Sequence, residues 1–172
     1  MTRDGDIRIK TPDEVKLMRE AGRVNALALA AVRELLQPGI ITADLNAAAE
    51  EILRKHGAYS PFLHYGNPPY PASICVSINE ELVHGIPGKR KLREGDIVSV
   101  DCGTVLGGFV GDSAFTAGVG DISPLARQII EVTQQALQVG IAMMRPGNKT
   151  GDISAAIQQY VEGNGFQVVR EY

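Results

Sequence analysis

The sequence predicts an α/β fold built as two related halves, and three observations carry that prediction. A motif recurs within the chain, each copy opening on a long amphipathic helix; short apolar strands follow the first copy; and a glycine-centred hairpin among those strands carries two aspartates. The repeat reads Pro38-Gly39-x-x-Thr42-x-Asp44-Leu45-x-Ala47-Ala48 in the first half. It returns as Pro146-Gly147-x-x-Thr150-x-Asp152-Ile153-x-Ala155-Ala156, with Gly57 returning as Gly165. Repetition of helix signals at a fixed offset marks one supersecondary unit used twice.

The first long helix starts at Thr11-Pro12-Asp13-Glu14, a capping box with proline at the first helical position. Leu17, Ala21, Val24, Ala28, Ala31 and Leu35 recur at steps of three and four, which predicts the core-facing stripe. The helix ends before Pro38-Gly39. A shorter capped helix follows, with Leu45, Ala48 and Ile52 expected inward. Next comes the loop Pro61-Phe62-Leu63-His64-Tyr65-Gly66-Asn67-Pro68-Pro69-Tyr70-Pro71, where proline and aromatic residues make a stiff apolar wall. A loop packed on its own side chains would have the same composition. Ser73 to Ile78 reads as a strand running into a glycine and proline loop with His84 at its mouth. A histidine there can donate a hydrogen bond or move a proton near neutral pH, although an isolated loop histidine is more often simply packed.

Ile97-Val98-Ser99-Val100 leads into Asp101, Gly107-Gly108 reverses the chain, and Phe109-Val110-Gly111 leads into Asp112. Asparagine, aspartate and glycine doublets between apolar runs predict a tight hairpin. With an even-numbered loop, strand alternation puts Asp101 and Asp112 on one face, opposite each other or one diagonal step apart. Two carboxylates about 5–8 Å apart repel unless a cation lies between them or one is protonated. Aspartate beside glycine is also common in ordinary hairpins. Here, however, each aspartate ends an apolar run instead of occupying the turn, which favours paired divalent cations.

The second copy opens at Ser123-Pro124, and Leu125, Ile129, Val132, Ala136, Val139 and Met143 repeat the stripe. Its shorter helix is expected to turn Ile153, Ile157 and Tyr160 inward. The first half is expected to occupy about 11–119, and the helices of the second about 123–165.

Composition excludes several classes of function. A net charge of −3 gives nucleic acid no footing, and the longest uncharged apolar stretch, Val24 to Val32, is too short to span a bilayer. The first residues, Met1-Thr2-Arg3-Asp4-Gly5-Asp6, lack the apolar core of a secretory signal, which predicts a cytoplasmic location. Two cysteines, Cys75 and Cys102, are expected as free thiols, without the CxxC spacing of a zinc site. His56 ends a helix and His64 lies in the proline-rich loop; neither is given a catalytic role.

Three segments in order, S-I-C-V-S-I-N-E-E-L-V-H-G-I-P, E-G-D-I-V-S-V-D-C-G and G-F-V-G-D-S, resemble the type 1 methionine aminopeptidases of bacteria. The resemblance runs from Thr11 to Tyr172. It implies the pita-bread (creatinase/aminopeptidase-like) fold: two pseudo-symmetric halves, each with helices outside and a curved antiparallel sheet inside. It implies that Asp101 and Asp112 are the first two of five ligands to two divalent metal ions (cobalt, manganese, iron or zinc), with Asp112 bridging. His84 corresponds to the histidine that contacts substrate, and Tyr65, Tyr70 and Cys75 to positions around the pocket for the methionine side chain. The implied reaction is hydrolytic removal of the initiator methionine from nascent polypeptides, with the ribosome as a further partner and a monomer as the complete form.

Relatives in that family continue with a Gly-His-Gly-Ile-Gly segment and later glutamates, which supply the other three ligands. The second copy's strands and those ligands do not follow Gly165 here, so the chain is expected to be an incomplete domain, 1–172, inactive alone. Two other functions fit parts of the pattern. A proline-specific dipeptidase shares the fold and aspartate pair but belongs to larger chains, and a non-enzymatic peptide-binding module of the same fold would leave the aspartates and His84 without a purpose.

Overall fold

The computed structural model describes residues 8–170, and the chain divides after Gly120 into two compact units. The first unit opens with α1 (Pro12–Glu34) and α2 (Thr42–Lys55), followed by β1 (Ile74–Ile78), β2 (Ile97–Leu106) and β3 (Phe109–Gly118). Thr11 and Glu14 form the expected capping box: the Glu14 N–H donates to Thr11 Oγ1 at 3.2 Å, and the Thr11 N–H donates to Glu14 Oε2 at 2.8 Å. The buried face of α1 is rotated from the expected stripe. Ala21, Val24, Ala28, Leu29 and Val32 are buried, whereas Leu17 is 47 % exposed. Asn25 lies in the middle of this face and hydrogen-bonds to the sheet, a polar contact that an apolar stripe cannot register.

α2 begins without a side-chain cap, because its N-cap residue is Ile41; Thr42, the first helical residue, bonds to Gly88 instead, whose N–H donates to the Thr42 hydroxyl at 2.8 Å and whose carbonyl accepts from it at 3.1 Å. Leu45, Ala49 and Leu53 are its buried apolar residues, so Ala48 and Ile52 flank the face instead of centring it.

The three strands form one antiparallel sheet in the order β1-β2-β3. Gly107 and Gly108 are the two-residue turn between β2 and β3, both with positive φ, the geometry that matches the right-handed twist of a hairpin. Strand alternation then sorts the side chains. Ile74, Val76 and Ile78 of β1, with Val98, Val100, Cys102 and Thr104 of β2, turn toward the helices. There they join Val24, Ala28, Val32, Leu45, Ala49 and Leu53 in the core. Each Val, Leu or Ile side chain among them contributes about 1.5–3 kcal/mol when taken out of water. The opposite face carries Cys75 and Ser77, Ser99, Asp101 and Gly103, then Asp112, Ala114 and Thr116.

The second unit holds α3 (Pro124–Met143) and α4 (Thr150–Gly163), packed on each other. Ser123 caps α3 as expected, accepting from Ala126 N–H at 3.1 Å, and the Lys149 N–H at the start of α4 donates to Asp152 Oδ2 at 2.7 Å. Val132, Ala136 and Gly140 are buried on α3, with Ile153 and Ile157 of α4 against Gly140. The centre of the expected stripe is therefore right and its start is not, since Leu125 is 65 % exposed.

Candidate metal centre

The register of the hairpin fixes the two aspartates. Asp101 pairs with Ala114 and Asp112 with Gly103, so the carboxylates occupy one diagonal step on the same face of β2 and β3. Of the two arrangements open to the sequence, the structure has the diagonal one. Burial and then the Asp112 carboxylate push the Asp101 carboxyl above the usual range, while His84 and the Cys102 N–H pull it back.

His84 enters through a tight contact at the sheet edge. After β1 the chain turns back so that Gly85 lies against it: the Val76 N–H donates to the Gly85 carbonyl at 2.8 Å, and the Gly85 N–H donates to Ser77 Oγ at 3.1 Å. His84 itself sits at φ 59°, exposed and within electrostatic reach of Asp101. Tyr70 anchors this loop from the other side. Its hydroxyl lies 3.0 Å from the Gly85 carbonyl and 3.2 Å from the Ile74 carbonyl, sharing one proton between them.

Cys75, directly across from Asp101 on β1, completes the group. Burial pushes its thiol up; Tyr70 opposes that shift, and the charges of Asp101 and Asp112 add to it. The Tyr70 phenol is likewise raised, first by burial and then by Cys75. Tyr70 and Asp112 are thus linked through Cys75 and Asp101, and His84 joins them at Asp101. Tyr65 stands apart, 76 % exposed and held through its backbone, with its N–H donating to the Phe62 carbonyl at 2.9 Å. Pro61 and Phe62 lie over Gly103, beside Asp112: a Cβ built there would fall 2.8 Å from each. Sequence reasoning also missed the front-face bond between Ser99 Oγ and Thr116 Oγ1, 2.8 Å long. Its signal was present, two hydroxyl residues on the aspartates' own alternation, Ser99 two residues before Asp101 and Thr116 four residues after Asp112.

The aspartate pair fits a divalent cation in charge and donor type. Hard carboxylate oxygens brought together, with the repulsion visible on Asp101, are relieved by a positive ion. Among the described residues no group of three or more His, Cys, Asp and Glu is placed to hold an ion, so the pair supplies two ligands. Two surface cavities lie away from it. One of about 580 Å³ is lined by Asn79, Glu80, Arg90, Lys91, Arg93 and Asp96; one of about 370 Å³ includes Glu50, Tyr59, His64 and Ser73. Concavity and chemistry part company here, and charge coupling is the better guide because Asp112 stands on an exposed face.

Residues 16–172 match the model of metallopeptidase family M24. The chain is 48 % identical over 163 residues to methionine aminopeptidase 1 of Bacillus subtilis, covering 95 % of this chain and 65 % of that protein. It is 46 % identical to the methionine aminopeptidase of Clostridium perfringens, covering 96 % of this chain and 66 % of the relative. The crystal structure of methionine aminopeptidase from Rickettsia prowazekii superposes with a TM-score of 0.93 at 38 % identity, over 97 % of this chain and 66 % of that one. Escherichia coli aminopeptidase P superposes with a TM-score of 0.78 at 22 % identity, over 90 % of this chain and 34 % of that one, a likeness of fold alone. The α/β pita-bread architecture expected from the sequence is the one these structures share. The chain thus spans about two thirds of the length of the methionine aminopeptidases it matches, and it belongs to metallopeptidase family M24.

Proposed function

We propose that this chain carries part or all of a metal-dependent aminopeptidase that removes the initiator methionine from nascent polypeptides. The single observation that carries the reading is the diagonal pair Asp101 and Asp112 with His84 beside it. The identity of 48 % to a methionine aminopeptidase supports the substrate.

In this reading Asp101 and Asp112 would hold divalent metal through their carboxylate oxygens. Bound ions of this kind polarise a carbonyl and lower the pKa of a coordinated water. His84, on a loop tied to β1 through Gly85, hydrogen-bonds the substrate amide and keeps it facing the carboxylates. Tyr70, Cys75 and Phe62 form an apolar wall for a thioether side chain, with Tyr65 at its rim. The fold neighbours that act on proline peptides share this architecture at 18–23 % identity, well below the 38–48 % of the Rickettsia, Clostridium and Bacillus methionine aminopeptidases. The reading places the protein in the cytoplasm as a monomer, near the ribosome that supplies its substrate. No helix among the described residues is long and apolar enough to cross a membrane.

The test combines binding and turnover. Manganese should raise the thermal midpoint of the wild type and leave Asp101→Asn/Asp112→Asn unmoved, since a ligand stabilises only the state that binds it. With manganese or cobalt present, the chain extended by a relative's C-terminal segment should release methionine from Met-Ala-Ser and leave an Ala-Pro peptide intact, whereas residues 1–172 alone, in which the aspartate pair supplies two ligands, should release little. In the extended form His84→Ala should cut turnover about 10²–10⁴-fold while metal affinity stays near normal. Indifference to divalent ions, or preference for the proline peptide, would overturn the assignment.

A further inference from the structure

Behind the aspartates, on the helix face of the same two strands, lies a hydrogen-bonded bridge that the reaction does not use. Asn25 of α1 is 1 % exposed. Its Oδ1 accepts from Thr104 Oγ1 of β2 at 2.8 Å, and its Nδ2 donates to Ser113 Oγ of β3 at 2.7 Å. Thr104 is fully buried, so both its hydroxyl and the Asn25 amide need these partners. One carboxamide therefore joins the two strands that carry Asp101 and Asp112.

The register gives this bridge a direction. Successive cross-strand pairs are Asp101 with Ala114, Cys102 with Ser113, Gly103 with Asp112, and Thr104 with Gly111. On the front, the line from Asp101 to Asp112 runs across the first and third of these pairs. On the back, the line from Thr104 to Ser113 runs across the fourth and second, in the opposite sense. The two diagonals cross. Any sliding of β3 along β2 that lengthens the front diagonal shortens the back one. The planar amide, bonded at both ends and carried on a helix packed in the core, resists that change.

We propose that Asn25, Thr104 and Ser113 act as a positioning brace that sets the separation of the Asp101 and Asp112 carboxylates and so their affinity for divalent ions. This rests on the assignment of the aspartates as ligands, and α1 contributes to the site without touching it. Groups that orient metal ligands typically alter affinity 10–100-fold. The brace is expected at the lower end, because the backbone ladder already fixes the register.

The experiment titrates manganese into the full chain and follows paramagnetic broadening of the Asp101 and Asp112 amide signals, which detects even millimolar binding. Two variants cut the brace differently. Asn25→Leu/Thr104→Val replaces the buried polar pair by apolar groups of similar shape, and Ser113→Ala removes the β3 anchor. Each should raise the manganese concentration at half-broadening about ten-fold, with thermal midpoints confirming that the variants fold. Ser113→Thr, which keeps the hydroxyl, should titrate with the wild type. Localised broadening that vanishes in Asp112→Asn but is unchanged in both brace variants would overturn the brace alone. A Ser113→Thr as weak as Ser113→Ala would also overturn it, since the hydroxyl would not be the cause. No localised broadening in the wild type would overturn the aspartate assignment and the brace with it.

Discussion

The two faces of the three-stranded sheet differ in what they tolerate. The helix face is closed by Val98, Val100, Cys102 and Thr104, all fully buried, and α1 rests directly on strand backbone at Gly111. The other face has exposed Asp112 and Ala114, half-buried Asp101 and an edge-bound loop bearing His84. One face holds the hairpin's geometry through packing, and the other accepts unfavourable electrostatics that the first must overcome. Stability and chemistry are thereby separated by a single peptide thickness.

The largest effect that would test this contrast is expected at Gly111. A Cβ there would fall 2.7 Å from the Gly22 nitrogen and 2.8 Å from the Ala21 carbonyl carbon, both backbone atoms that cannot swing away. Gly111→Val should cost about 3 kcal/mol or more in urea unfolding, the upper range for overpacking. Ala114→Val, on the front of the same strand, should change stability by less than about 0.5 kcal/mol. Equal costs would mean that the faces are not distinct in packing.

Much of this was legible in the chain, for definite reasons. Period-two alternation and the Gly107-Gly108 turn determine the hairpin and put both aspartates on one face, because a pleated strand leaves no freedom there. The Thr11 and Ser123 caps are local chemistry and appear where expected. What escaped depends on tertiary contact. Asn25 sits among apolar neighbours, so a search for stripes passes over it, and the rotation of α1 that buries Leu29 in place of Leu17 follows from what the sheet presents. Thr42 has the composition of a helix cap but is drawn to Gly88, forty-six residues away in sequence. The diagonal choice for the aspartates likewise needed the register itself.

A smaller effect is expected where the loop is pinned to the open face. The Tyr70 hydroxyl bridges toward two carbonyls, those of Ile74 and Gly85, and so links the aromatic loop to the segment carrying His84. Tyr70→Phe removes one donor and should cost about 1 kcal/mol, the usual net worth of a hydrogen bond. Amide exchange at Gly85 should accelerate while exchange at Val100, in the core of β2, stays unchanged. Acceleration at both would show that the loop and the sheet open as one unit.

The smallest effect concerns charge on the open face, and its sign is diagnostic. Asp101 is held above its ordinary pKa in the folded chain, chiefly by burial and next by Asp112. Between the unfolded and folded values the folded state binds more protons, so stability falls as pH rises through that window and the full penalty is present above it. The metal-free chain should therefore gain stability on acidification from neutral pH toward the unfolded pKa of Asp101, by well under about 1 kcal/mol because the site is partly solvated. Asp112→Asn removes the like charge, so it should flatten this slope and slightly stabilise the metal-free fold at pH 7 while weakening metal binding. Thermal midpoints of both proteins from pH 5 to 8 in the presence of a chelator decide the matter. A wild type that instead loses stability toward pH 5, with the variant following in parallel, would show that repulsion across the hairpin is not what the sheet's closed face has to overcome.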